Sequence, residues 1–310
     1  MTWITSQYRT LIIVGVCIAV STLVFVLTKK PAEVPAIQQN VDEVTNEVPV
    51  IPSSSDPRIE VVGTSTEGRV IESYAFGTGE TNLLFVGGIH GGYEWNSTLL
   101  AYTFIDHLTA HPELIPKNVT VTVVPSANPD GLFAVISKEG QFTLADIPKD
   151  TGTPGAGRFN AQGVDLNRNF DCKWQPESTW RGKVVSAGTQ AFSEPESQAI
   201  RDVVLTTKPK AVIFWHSQAN AVYASECKNG ILPGTLTLMN TYAKAAVYKA
   251  VDSFDAYPVT GDAEGWLASI NIPAITVEMA THETIEWEKN LAGVEAVLTQ
   301  YSTEPTTLGR

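Results

Sequence analysis

The stretch LLFVGGIHGGYEW, residues 83–95, carries the clearest structural signal in this chain: an apolar run that ends in a glycine-rich turn. Residues 83–87 are continuously apolar, which is typical of a central strand covered on both faces of a sheet. His90 and Glu94 follow within the turn. Functional side chains gather where the strands of a buried sheet end, so these two residues could share one metal ion. The alternative is a hydrogen-bonded structural histidine.

Similar apolar runs recur on both sides of this stretch and alternate with helical patterns. They predict an α/β fold, a single globular domain with a mixed, mostly buried β-sheet flanked by helices. The predicted strands cover residues 59–62, 70–75, 83–87, 119–125, 211–215 and 274–279. The predicted helices cover residues 97–108, 194–206, 235–254 and 285–301.

Two further predicted strands contain or lead into candidate catalytic residues. The run 211–215 leads into His216, and the run IPAITVEMA, residues 272–280, contains Glu278. A second histidine at a second strand end completes a His/Glu/His set, and three such ligands with an open fourth position are typical of catalytic zinc. A lone carboxylate in an apolar strand is costly unless it is paired or used. Glu278 is therefore a candidate general base.

These residues lie in motifs that resemble the zinc metallocarboxypeptidases of the carboxypeptidase A/B type, and their bacterial branches in particular. The motifs follow the order of that family and span roughly residues 58–300. They are GGIHGGYE (87–94), SANPDG (126–131), RFN (158–160), GVDLNRNF (163–170), FSEPE (192–196), FWHS (214–217), the stretch 257–266 and TVEM (276–279).

The resemblance implies a metallocarboxypeptidase-like fold and a catalytic centre with one Zn²⁺ per chain. His90, Glu94 and His216 would hold the zinc, and Glu278 would act as the general base on a zinc-activated water. Arg158 would stabilise the oxyanion. The family usually spaces its first two ligands as His-x-x-Glu, whereas three residues separate them here. Because the intervening residues include two glycines with unusual backbone freedom, Glu94 stays the predicted ligand.

The resemblance also assigns the substrate contacts. Asn167 and Arg168 would bind the terminal carboxylate of a peptide, and Tyr257 would close over it. Glu264 aligns with the base of the specificity pocket, where an acid accompanies cationic C-terminal residues such as Lys, Arg or diaminopimelate. The alternative is that Glu264 turns outward or pairs with a neighbouring cation, which leaves the pocket neutral.

The predicted activity is zinc-dependent hydrolysis of the C-terminal peptide bond of peptides, with cell-wall peptides as one candidate substrate. A murein-peptide amidase or deacylase of the same fold is one alternative, and a catalytically inactive peptide-binding relative is another. The formal net charge of −12 lacks the basic footprint of a nucleic-acid-binding protein. We expect a monomer whose partners are its peptide substrate and a membrane.

The membrane prediction comes from the N-terminus. Residues 11–27, LIIVGVCIAVSTLVFVL, form an uncharged apolar run long enough to span a bilayer as a helix. Residues 1–30 are therefore a predicted transmembrane anchor, with a cleaved signal peptide as the alternative. Residues 31–56 form a flexible linker, 57–302 the catalytic domain and 303–310 a polar tail. The catalytic domain would be extracytoplasmic, membrane-anchored if the segment is retained and secreted if it is cleaved.

The last predictions concern two cysteines, one histidine and one tryptophan. Cys172 follows the Asn-Arg motif and Cys227 lies in the loop after His216, so a disulfide between them is predicted. His282 is predicted to be an ordinary surface or cap residue. Trp180 is predicted to pack near Cys172.

Overall fold

The centre of the fold is a sheet whose inner strands are apolar on both faces. A computed structural model describes residues 56–150, 152 and 155–302. The strands are β1 (Arg58–Thr64), β2 (Val70–Phe76), β3 (Thr81–Val86), β4 (Val119–Val124), β5 (Glu177–Trp180), β6 (Lys183–Ser186), β7 (Ala211–Ser217), β8 (Ala221–Ala224), β9 (Glu226–Cys227), β10 (Gly230–Ile231), β11 (Lys249–Val251) and β12 (Ala274–Met279). The helices are α1 (Trp95–Ala110), α2 (Pro129–Ile136), α3 (Pro195–Thr207), α4 (Pro233–Ala246), α5 (Ala263–Ser269) and α6 (Trp287–Ser302).

Eight strands form one mixed sheet in the order β1-β2-β4-β3-β7-β12-β8-β11. The four central strands, β4, β3, β7 and β12, run parallel to one another. Antiparallel pairs join β1 to β2, β2 to β4, and β12 to β8. The hairpins β5-β6 and β9-β10 lie outside this sheet. The predicted α/β domain with a mixed sheet is thereby confirmed.

Side chains alternate between two hydrophobic clusters on opposite faces of the sheet. In β3, Leu83 and Phe85 belong to the cluster that includes residues of α1, α4 and α6. Leu84 and Val86 belong to the cluster that includes residues of α3 and α5. Because successive strand residues point to opposite faces, an uninterrupted apolar run fills both clusters. This is why residues 83–87 form a continuous apolar run.

One predicted helix differs clearly from the structure. The helix predicted for residues 235–254 ends at Ala246, where Val247 takes a positive φ of 55° and caps it. The next residues pair in parallel with β8 as strand β11. The Asn-Pro-Asp-Gly segment, residues 128–131, begins α2, where the Asn128 side chain caps the helix by accepting a hydrogen bond from the Gly131 N–H at 2.9 Å.

The predicted anchor (1–30), the linker (31–56, except its last residue) and the tail (303–310) lie outside the described residues. Within the part of the chain that the structure covers, no helix has both the length and the apolarity to cross a membrane. The boundaries proposed for the catalytic domain stay a prediction.

Candidate active site

Three neighbouring parallel strands, β3, β7 and β12, end at the same edge of the sheet. The register pairs Val86 with Phe214 and Glu278 with His216. His216 therefore lies beside Glu278 on adjacent strands, and His90 follows shortly after the end of β3. Parallel pairing thus brings together residues that are far apart in the chain, at the edge where α/β sheets place their sites.

The turn after β3 accommodates the longer spacing between His90 and Glu94. Residues Gly91–Glu94 form a 3₁₀ turn that leads directly into α1. Gly91 has a φ of +46°, and a Cβ there would lie 2.6 Å from the carbonyl oxygen of Gly157. Only glycine fits this close backbone approach at positive φ. The resulting turn directs Glu94 back toward His216.

The three predicted metal ligands form one buried cluster. One ligand atom from each of His90, Glu94 and His216 lies within 4.8 Å of the others. The Glu94 Oε2 atom lies 3.1 Å from His216 Nδ1 and accepts a hydrogen bond from the Ser217 N–H at 3.2 Å. Two imidazoles and a carboxylate are the donor set of catalytic zinc sites.

Unpartnered polar atoms beside the cluster fit a zinc site as well. His90 Nδ1 and Asp165 Oδ1 are both buried without a hydrogen-bond partner among the described residues. They lie 3.7 Å apart. A carboxylate behind a ligating histidine is the usual partner that orients such a ring. The residues present therefore fit a zinc ion.

The charges around this cluster alter its pKa values. Burial, followed by the charge of Arg158, lowers the pKa of His90 well below its ordinary value. Burial alone would also lower the pKa of His216, but hydrogen bonds to Glu264 and Glu94 raise it well above that value. Burial and the neighbouring Glu94 raise the pKa of Glu278 to about 8. A carboxyl group that gains and loses a proton near neutral pH suits a general acid–base role.

Arg158 is held rigidly at the wall of the site. Its Nε and Nη2 atoms donate to Asp165 Oδ2 at 3.1 Å and 2.8 Å. Its Nη1 atom lies 3.7 Å from Glu94 Oε1, and its guanidinium carbon lies 4.5 Å from the centre of the Trp180 ring. These contacts leave Nη1 as the donor on the side of the ligand cluster.

Asn167 and Arg168 lie in a 3₁₀ turn, Leu166–Arg168. Asn167 Oδ1 accepts a hydrogen bond from the Ala263 N–H at 2.8 Å, which fixes the turn against the start of α5. Arg168 donates to the backbone carbonyls of Asn167 and Thr179, while its Nε is buried without a partner in the described chain. No described carboxylate lies within ion-pair distance of this guanidinium.

A cavity of about 710 Å³ joins these groups. Its volume is in the range of small-molecule and peptide pockets. Every predicted site residue lines it: His90, Glu94, Arg158, Asn167, Arg168, His216, Tyr257, Glu264 and Glu278.

The predicted disulfide between Cys172 and Cys227 is confirmed. Cys172 lies in the cavity wall, and its carbonyl accepts a hydrogen bond from the Gly261 N–H at 2.7 Å. The Phe170 N–H donates to the Gly261 carbonyl at 2.8 Å. The covalent bond and the two hydrogen bonds join the loop after Arg168 to two other segments of the wall.

Sequence reasoning missed several residues around the site. Trp180 stacks on Arg158 and lines the cavity rather than packing near Cys172 alone. His282 is not an ordinary surface residue: its Nδ1 lies 2.6 Å from Ser217 Oγ, and its ring lies 4.5 Å from that of Tyr93. Asp165 could have been found from its place inside GVDLNRNF. Nothing local marks Trp180 or His282, because their partners are distant in the chain.

The chain is similar in sequence to known proteins. The family model described as zinc carboxypeptidase matches residues 53–293. The γ-D-glutamyl-L-diamino acid endopeptidase 1 of Lysinibacillus sphaericus is 22% identical over 240 residues, which are 71% of this chain and 60% of the relative. The carboxypeptidase B of Helicoverpa zea is 26% identical over 240 residues, 67% of this chain and 54% of the relative.

The fold is also that of solved structures. The murein-tripeptide amidase of Escherichia coli O157 superimposes with a TM-score of 0.55 at 23% identity, covering 81% of this chain and 94% of that chain. By contrast, the chain spans only 60% and 54% of the length of the two curated relatives above.

Proposed function

Because the chain belongs to the zinc carboxypeptidase family, we propose that it is a zinc-dependent carboxypeptidase that removes the C-terminal residue of peptides. The observation that carries this proposal is Arg168, a buried guanidinium with a free Nε and no ion-pair partner among the described residues. It lines the same cavity as the predicted metal ligands. A planar guanidinium is suited to a substrate carboxylate.

In this mechanism His90, Glu94 and His216 would hold zinc. When bound, zinc lowers the pKa of a coordinated water toward ~7 and polarises the scissile carbonyl. Glu278 would take a proton from the attacking water and return it to the leaving amine. Arg158 would donate a hydrogen bond from Nη1 to the developing oxyanion.

The remaining residues would position the substrate. Arg168 would bind the terminal carboxylate. Asn167 would support it from the same turn, with its own amide oxygen already held by the Ala263 N–H. Tyr257 lines the cavity and would close over the bound peptide. Holding the reacting groups in this geometry lowers the entropic part of the barrier.

A murein-peptide amidase is the second candidate, and the fold shared with a murein-tripeptide amidase over 94% of that chain favours it. The presence of both Asn167 and Arg168 supports the carboxypeptidase instead, since amidases and deacylases of this kind often lack that pair. A metal-free binding protein is the least favoured, because every predicted ligand and the base are present.

We also propose an extracytoplasmic location, on the basis of residues 11–27, and cell-wall peptides as natural substrates.

The test compares matched peptides on the zinc-loaded full-length chain. One peptide has a free C-terminal carboxylate, a second has the same sequence with a C-terminal amide, and a third contains a γ-D-glutamyl-diaminopimelate bond. Mass spectrometry would follow the products, and elemental analysis the metal. We expect one zinc per chain, and cleavage of the free acid but not of the amide. We also expect Arg168→Gln to lower kcat/KM on the free acid by about 10²-fold or more, since a charge-assisted contact is lost.

The other outcomes identify the alternatives. Cleavage of the γ-D-glutamyl bond alone would favour the amidase, and equal cleavage of the acid and the amide would favour an endopeptidase. Absence of both zinc and cleavage would favour the binding protein. His90→Ala and His216→Ala are the matched controls, because each should lose metal and turnover together.

A further inference from the structure

The ring of His216 lies between two carboxylates. Its Nδ1 is 3.1 Å from Glu94 Oε2, and its Nε2 is 3.1 Å from Glu264 Oε1. Glu94 is itself a predicted ligand, so Nδ1 is the nitrogen on the side of the metal cluster. A ring nitrogen that binds a metal carries no proton, so the hydrogen must reside on the other nitrogen. That nitrogen faces Glu264.

Glu264 is well fixed for this contact. Its side chain is 4% exposed and lies in the first turn of α5. The Thr276 hydroxyl donates to the same Oε1 atom at 2.9 Å. Thr276 belongs to β12, the strand that also carries Glu278. A helix and a strand therefore hold this oxygen at a defined distance from His216.

We propose that Glu264 is a positioning residue for the metal centre. Its Oε1 accepts the Nε2–H of His216 and so fixes the ring with Nδ1 directed at the metal. The proposal rests on the assignment of His216 as a ligand in the proposed function. Carboxylates behind ligating histidines fix the tautomer and raise the basicity of the ligand. With Asp165 Oδ1 3.7 Å from His90 Nδ1, a carboxylate lies beside each histidine of the cluster.

This role differs from the specificity role that the resemblance implies for Glu264. An acid that selects Lys or Arg side chains needs an oxygen that a substrate cation can reach and that no protein group already occupies. Here Oε1 receives both His216 and Thr276. The Oε1 atom is thus already occupied by groups of the protein.

The experiment measures zinc affinity, by competition with a chromophoric chelator, for the full-length wild type and three variants. Glu264→Ala removes the acceptor, and we expect zinc binding about 10- to 100-fold weaker. Glu264→Gln keeps an acceptor oxygen without the charge, and we expect a smaller loss of a few fold. Asp262→Asn is the matched control. It removes a carboxylate from the same cavity without touching His216, and asparagine caps a helix as well as aspartate does. Its zinc affinity should equal that of the wild type.

Two further measurements separate positioning from other effects. The visible absorption of the cobalt-substituted protein reports ligand geometry, and it should change in Glu264→Ala but not in Asp262→Asn. The ratio of kcat/KM for peptides ending in Lys and in Phe should stay unchanged in Glu264→Gln. A specificity acid would instead change this ratio and leave zinc affinity alone.

Wild-type zinc affinity in Glu264→Ala would overturn the proposal. If that variant fails to fold, Glu264→Gln decides alone: zinc binding weakened a few fold supports the proposal, and unchanged binding overturns it. Because zinc affinity is measured without substrate, the readout is independent of which bond the enzyme cleaves. A wild type that binds zinc but releases no C-terminal residue would end only the proposed function. A wild type that binds no zinc would end both.

Discussion

Glu278 shows how a single residue acquires a chemical role from its surroundings. In the register of β12 and β7 it lies opposite His216. Its Oε2 is buried without a hydrogen-bond partner among the described residues. An unpaired carboxylate in such a place costs stability, which is acceptable only where the group is used. The proposed use is proton transfer.

The first prediction concerns Glu278→Gln. The variant should bind zinc as the wild type does, because residue 278 is not a ligand, while kcat should fall by about 10²- to 10⁴-fold through loss of the base. Elemental analysis and steady-state kinetics on a peptide with a free C-terminus would measure both. Near-normal kcat in the zinc-loaded variant would rule out Glu278 as the base.

A pH prediction belongs to the same residue in the metal-free protein. Burial and Glu94 raise the pKa of Glu278 from 4.5 to about 8. Between these values the folded state keeps a proton that the unfolded state has released. The free energy of unfolding therefore falls as pH rises through this window. Glu278→Gln removes this contribution.

Thermal unfolding of both chelator-treated proteins, at several pH values from about 5 to about 8, would test this linkage. The Tm of the wild type should fall relative to that of Glu278→Gln as pH rises. Two Tm curves that run parallel over the whole range would contradict the raised pKa.

At the scale of elements, the disulfide connects the loop after Arg168 to the β9 hairpin strand. Cys172 and Cys227 are separated by 55 residues in sequence. Closing a loop of this length stabilises the folded state by up to about 4 kcal/mol in the chain-entropy account. The same bond braces the segment that carries the proposed carboxylate contact.

Replacing both cysteines with serine should therefore lower the free energy of unfolding by about 2–4 kcal/mol. The KM should rise more than kcat falls, because Arg168 loses support whereas the metal ligands do not. Urea unfolding and steady-state kinetics would measure these effects, and Cys17→Ser is the matched control. In the unreduced, denatured wild type, a thiol reagent should react with one of the three cysteines, Cys17. Three reactive thiols would contradict the disulfide.

At the scale of the whole molecule, the apolar run of residues 11–27 predicts that the catalytic domain is anchored to a membrane. Residues 1–30 carry the apolar run and lie outside the described residues. We expect the full-length chain to stay in the membrane fraction after alkaline extraction, because burying such a run in lipid is strongly favourable. A variant with Val16→Lys and Leu23→Lys should be released, since each charge in a bilayer core costs about 2.5–3.5 kcal/mol. Full-length chain in the soluble fraction would contradict the anchor. A shortened N-terminus, detected by mass spectrometry, would favour a cleaved signal peptide.

The sequence by itself determined the fold class and the chemical inventory of the site. Apolar runs such as residues 83–87 identify central strands because burial on both faces requires apolar side chains at every position. His90, His216 and Glu278 could be singled out because each follows or interrupts such a run. These signals are local, so no knowledge of strand pairing is needed to see them.

Only the tertiary structure decided which groups touch. Strand β11 forms because residues after Val247 pair with β8, which outweighs their helical pattern. The contact between His216 and Glu264 joins residues 48 positions apart. Because of this contact, Glu264, which was predicted to be a specificity acid, is proposed to position the metal ligand His216. Such contacts depend on the parallel pairing of β7 with β12 and on the packing of α5 beside them, and neither leaves a mark in local composition.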